Sequence, residues 1–269
     1  MSPLTWISAG RKWAIGATAL TVLAVVAVTV LVNRQAPPTS SGTVAVDGSI
    51  PPASTTPSPL DLGSLAAQQQ SELAQSIDRI RAVPSVNAAT SPSFPPVGAE
   101  ARLQPDLYAA AFVRQLLTQD YRTDRQQLLA WVQSESAQST DPLVVGLTPV
   151  DLRNKMAVAS VQDDVNGPGP VPSQGNWADL AQRQAHTTVQ IQRVTQPVSW
   201  AAAVTGCQIT DPGVTARQVD AEVTLHTTEH AKIATQRFSV ALVVNLEGPP
   251  VRPGYGFVTA ITYNVVAVG

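Results

Sequence analysis

The chain has 269 residues, 44% of them hydrophobic and 13% charged, with a formal net charge of -2. A balance this close to neutral excludes a general nucleic-acid coat. The single cysteine, Cys207, excludes internal disulfides and cysteine zinc clusters.

Taken in chain order, the first strong signal is the run from Trp13 to Val32, which carries no charge. At about 1.5 Å per residue it reaches about 30 Å, the hydrocarbon thickness of a bilayer. Arg11 and Lys12 precede it and Arg34 is the nearby cation after it, so residues 1–12 are expected as a cytoplasmic tail and everything beyond Val32 outside. The rival reading is a cleaved signal peptide. Its apolar core would be about 7–15 residues, ending in small residues at the cleavage positions, and Asn33-Arg34-Gln35 is a poor match. A retained single-pass anchor over 13–32 is the expectation.

Residues 33–99 read as a Pro-rich linker, densest from Ala36 to Pro59 and from Pro84 to Pro96. Between these patches Leu62, Leu65, Leu73, Ile77 and Ile80 fall on a helical period, predicting a short helix over 62–82 with Ser64 capping its start and Pro84 limiting its end. It reads either as a short amphipathic helix lying on the domain or fraying in solvent, or as a self-associating stalk near the membrane.

From 100 to 269 the pattern predicts an extracytoplasmic α+β domain, helices first and strands afterwards. Asp106 to Leu117 places Leu107, Tyr108, Ala111, Phe112, Leu116 and Leu117 on one stripe. Thr123 is positioned to cap a helix over Asp124 to Val132, with Leu128, Leu129, Trp131 and Val132 on its apolar face. A third helix is expected from Thr148-Pro149 toward Val158, followed by a Gly/Pro loop from Asn166 to Pro172. Alternation by two then predicts strands at Thr187–Val194, Val219–Thr227, Ile233–Leu246 and Phe257–Val266, separated by Thr210-Asp-Pro-Gly213 and Gly248-Pro-Pro250. Helices packed on one face of a four-stranded antiparallel sheet satisfy that order.

The residues Ala110-Ala-Phe112, Leu116-Leu-Thr118, Asp120-Tyr-Arg122 and Leu128-Leu-Ala-Trp131 resemble the first helices of TcpC-like conjugation proteins. Those are bitopic membrane proteins of Gram-positive conjugation machines, similar to the bitopic assembly factor of type IV secretion systems. The resemblance implies a nuclear-transport-factor-2-like fold, with about three helices cradled by a curved four-stranded sheet. It also implies self-association as a ring or trimer. The abundance of Arg, Ala and Val suits a high-GC bacterium.

Several residues invite a chemical reading. His226-Thr-Thr-Glu229-His230 has the inverted zinc-peptidase spacing, which requires both histidines on one helical face. The Val- and Ile-containing flanks favour strands meeting at a turn instead, leaving these residues as solvated polar groups. Asp120, Arg122, Asp124 and Arg125 are read either as a structural corner between helices, with the Tyr121 ring buried, or as a polar cluster holding an interior acid. His186 sits at the start of the first strand with no evident partner, and Cys207 reads as a small core residue. Tyr108, Phe112, Tyr121 and Trp131 are candidates for the core or for an interface groove. No catalytic set, cofactor or metal site assembles. Taken with the resemblance, this makes the expected function a non-enzymatic assembly component of a conjugative transfer apparatus. It would contact other subunits of the machine and the membrane through residues 13–32, with no direct nucleic-acid contact. The alternatives are a membrane-tethered ligand binder or enzyme of the same fold, and an accessory subunit of another envelope complex.

Overall fold

The computed structural model describes residues 62–86, 94–163, 165, 167–206, 211–229 and 232–268. The span 13–32 with Arg11 and Lys12, the linker residues 33–61 and 87–93, Cys207 and His230 lie outside the described residues. Among the described residues no helix is long and apolar enough to cross a membrane.

The fold is α+β. Its helices are α1 (Leu62–Ala82), α2 (Pro105–Leu117), α3 (Arg125–Glu135), α4 (Pro142–Val145), α5 (Arg153–Ser160), α6 (Gln174–Gln182) and α7 (Val198–Gly206). Its strands are β1 (His186–Thr195), β2 (Val214–Glu229), β3 (Lys232–Glu247) and β4 (Gly256–Val268). The strands form one antiparallel sheet in the order β1-β2-β3-β4, each pairing with its sequence neighbour. Gln192 in β1 and Ile261 and Val258 in β4 are extra residues without a cross-strand partner. Such bulges bend a strand and sharpen its twist.

The alternation of β2 and β3 assigns their inward side chains. Val219, Ala221 and Val223 of β2 and Val240, Leu242, Val244 and Leu246 of β3 are buried in one core with Phe257 of β4. Onto this face pack Tyr108, Phe112 and Leu116 of α2, Leu128, Trp131 and Val132 of α3, and Ala157 and Val158 of α5. Burying a side chain of this size contributes about 1.5–3 kcal/mol. The opposite face of the sheet is largely polar. Arg193 pairs with Asp220 at 2.6 Å and Arg237 approaches Glu222 at 4.0 Å.

Three helix details differ from the expectations. Leu107 is 49% exposed, while Ala109 and Val113 take inward positions. The buried stripe of α2 thus runs through Tyr108, Ala109, Phe112, Val113, Leu116 and Leu117, and the small Ala109 and Val113 pack where the longer Leu107 was expected. Asp124, not Thr123, caps α3: its side chain accepts from Gln126 N at 2.9 Å, while the Thr123 hydroxyl donates to the Asp120 carbonyl. Ser64 lies within α1 and not before it.

α1 meets the domain at its C-terminal end. Ile80 and Val83 are buried there, and Lys155 Nζ donates to the carbonyls of Arg81 at 3.1 Å and Val83 at 2.7 Å. A cation placed on carbonyls that a helix end leaves unpaired is favourable for both hydrogen bonding and the helix dipole. From Ala66 to Glu72 the helix is exposed.

α4, α6 and α7 were not expected. α4 is a single turn, capped by Asp141 accepting from Leu143 N at 2.9 Å. α6 starts on Ser173, which accepts from Asn176 N, and buries Trp177. α7 is apolar, and within it Trp200 alone is buried.

Candidate functional site

The four aromatic candidates are all buried. Phe112 stands at the centre of a stack, its ring 6.0 Å from Tyr108, 5.1 Å from Trp131 and 4.3 Å from Phe257. Tyr121 meets Trp177 edge-on at 4.8 Å. These rings fill the space between helices and sheet and are unavailable as an exposed groove.

Beside the stack lies a buried ionic network that the sequence did not disclose. Glu135, at the end of α3, is 2% exposed. Its carboxylate accepts from Arg102 Nη2 at 2.8 and 2.7 Å, from Val97 N at 3.0 Å and from the Tyr108 hydroxyl at 3.0 Å. Arg102 also donates to the carbonyls of Val97 at 3.1 Å and Tyr255 at 3.2 Å. One guanidinium thus ties the approach to α2, the end of α3 and the segment leading into β4. Burial, reinforced by the neighbouring Glu135, pushes the Tyr108 hydroxyl well above its ordinary pKa.

The predicted polar cluster at the α2–α3 corner separates into parts. Asp120 Oδ1 accepts from Arg122 N at 3.1 Å and Nε at 2.8 Å, and Oδ2 accepts from Nη2 at 2.5 Å. The hydrogen bonds from Arg122 hold the Asp120 carboxyl below the usual carboxylate range, so it is not an acid raised by burial. Asp124 caps α3, and Arg125 turns away to the Pro172 carbonyl and Gln162.

A hollow of about 310 Å³ opens at this corner, lined by Phe94, Asp120, Arg122, His186 and Thr187 among others. His186 is not alone there, as the sequence suggested. Its ring stacks on His226 at 4.7 Å, across the β1–β2 register that places the two residues opposite each other. His226 also meets the Thr188 hydroxyl at 3.2 Å. β2 is extended through Glu229, so the helix required by the zinc-peptidase spacing is absent at His226. Among the described residues no group of three or more His, Cys, Asp or Glu side chains is arranged to hold a metal ion.

The second unanticipated cluster caps one end of the outer sheet face. Trp200 of α7 and Val144 of α4 pack with Ala137, Val214, Ala216 and Val258. Beside Val214 in the register lies Glu247, which is fully buried, and Asn245 two residues before it is 2% exposed. Ser139, Asp211 and Arg252 face Glu247. No hydrogen bond of full geometry reaches either carboxylate oxygen or Asn245 Oδ1, although the Ser139 and Asp211 side chains lie close enough to share one with Glu247. Burial, supported by the Asp211 charge, raises the Glu247 carboxyl from its ordinary 4.5 to about 7. The sequence signal was present but ambiguous. Asn245 and Glu247 fall on the face that alternation assigns to solvent, and only the unforeseen α7 and the 137–145 segment turn that end into an interior.

In comparisons with known proteins, no protein-family model, no curated protein and no solved structure matches this chain.

Proposed function

We propose that this chain is a membrane-anchored assembly component of a conjugative, type IV secretion-like transfer apparatus, working through protein–protein contacts and not through catalysis. Residues 13–32 would span the cell membrane once with the N-terminus in the cytoplasm, the linker would set the reach, and the α+β domain would dock other subunits outside. The finer fold assignment, a nuclear-transport-factor-2-like domain of the TcpC-like kind, belongs to the same proposal, as does self-association.

The observation that carries the reading is the filled interior. Phe112, Trp131 and Phe257 fill the space between helices and sheet, which a ligand binder of the proposed fold would need open. The residues behind the resemblance, Phe112, Leu116, Tyr121, Leu128 and Trp131, are core-forming positions, and Asp120 with Arg122 ties the corner between the two helices. The domain therefore offers its surface for work. A near-neutral charge favours protein partners over direct contact with DNA. The tethered ligand-binder reading would have to use a surface hollow such as the one at the corner, where Asp120 is engaged by Arg122.

Deletion of residues 1–32 tests the proposal. The shortened chain is expected as a soluble, folded domain, and a donor cell making only this form is expected to lose transfer. Undiminished transfer would overturn the assembly role.

A further inference from the structure

The capped end of the outer sheet face combines three features that ordinary packing does not require. Glu247 and Asn245 are buried with side-chain oxygens that make no well-formed hydrogen bond. The carboxylate facing Glu247, Asp211, can bond it only through a shared proton, so the site is costly unless the group is neutral or the site opens. The cover over them is slight. α4 is four residues long, and α7 contributes one buried side chain, Trp200. The cover is also tied together by polar contacts that converge on the same place. Asp211 N donates to Asp141 Oδ2 at 3.1 Å, Asp141 N donates to Ser139 Oγ at 3.2 Å, and Gly213 N donates to Asp211 Oδ1 at 2.9 Å. The backbone at Gly213 comes so close that a Cβ there would lie 2.7 Å from Glu247 Oε1.

We propose that Glu247 is a proton-controlled latch for this cap. With the carboxyl protonated, Glu247 lies neutral against Asp211 and Ser139, and the 137–145 segment, α7 and residues 211–213 close over the end of the sheet. When it ionises, two negative charges, Glu247 and Asp211, face each other in a site poor in water, with Asp141 close behind Asp211. Arg252, from the β3–β4 connection, is the cation that faces Glu247 among the described residues and offsets part of that repulsion. The cap is held by the few contacts named above, so the repulsion acts on it rather than on the main core. Its release uncovers Trp200, Val144, Val214, Ala216 and Val258, an apolar surface hidden while the latch is closed. The raised carboxyl places the switch near neutral pH, within the range that an extracellular surface experiences.

Hydrogen exchange on the full chain in detergent micelles tests this, followed from about pH 5.5 to about pH 8.5 and corrected for intrinsic exchange rates. Protection in 137–145 and 198–206 is expected to fall about tenfold more than in α2 and β3 as pH rises. Glu247→Gln, neutral at every pH, is expected to remove that difference. No selective fall in the natural chain, or the same fall in the Gln variant, overturns the proposal. Should Glu247→Gln fail to fold, Asp211→Asn decides. Without the Asp211 charge the carboxyl ionises more easily, so cap loosening is expected to begin at lower pH and reach a smaller extent. An unmoved transition refutes the latch.

Discussion

Arg102→Ala is the sharpest perturbation of the fold. The arginine places two contacts of 2.8 and 2.7 Å on Glu135 and one each on the carbonyls of Val97 and Tyr255. Charge-assisted bonds contribute about 1.5–3 kcal/mol and neutral ones about 0.5–1.5 kcal/mol. The Arg102 side chain is 28% exposed, so water recovers part of the loss, whereas the Glu135 side chain is 1% exposed and cannot be rehydrated without opening the core. The net cost is set by leaving a buried carboxylate without its cation, about 3–5 kcal/mol. Urea unfolding of the natural chain, Arg102→Ala, Glu135→Gln and the double variant measures it as a cycle. Once Arg102 is gone, the neutral amide is easier to bury than the carboxylate, so the double variant is expected to be more stable than Arg102→Ala alone. A cost below about 1 kcal/mol, the range of exposed ion pairs, would refute the reasoning by showing that Glu135 is solvated.

Phe112→Ala removes the central ring of the stack and is expected to cost about 3–5 kcal/mol with loss of near-UV circular dichroism, a retained signal contradicting the filled interior. Asp120→Asn, by contrast, disrupts a pair whose side chains are 35% and 60% exposed and is expected to cost less than about 1 kcal/mol in the same unfolding assay. The folded Glu247 carboxyl titrates near 7 against an ordinary 4.5, so between those values the folded chain holds a proton that the unfolded chain has released. This contribution to stability is therefore fully present below pH 4.5 and declines up to about 7, by at most about 3 kcal/mol. Midpoints from thermal scans across that range are expected to fall less steeply in Glu247→Gln.

The four strands were legible because the Val/Thr/Ile alternation from residue 187 onward has period two and the turns carry Pro and Gly. α2 and α3 were legible from apolar spacing, and the corner from Asp120 and Arg122 lying two residues apart. α7 was not. Its run Val198-Ser-Trp-Ala-Ala-Ala-Val204 is apolar all round apart from Ser199 and gives no face to read, so nothing marks Trp200 as its anchor. The Arg102–Glu135 network and the Glu247 site escaped for another reason. Both are closed by tertiary neighbours far away in sequence, and a lone Glu at the end of a helix or strand looks solvated until those neighbours are placed. The His186–His226 stack depends on the β1–β2 register in the same way.

The proposed role is tested most directly by photo-cross-linking in donor cells, with a photoreactive residue replacing Val266, Thr224 or Ser239 in turn on the outer sheet face of the full-length chain. Adducts to the extracytoplasmic parts of other transfer-machine subunits are the result this account predicts. Adducts to the transferred DNA or to cytosolic proteins, or none from any of the three positions while transfer proceeds, would contradict it.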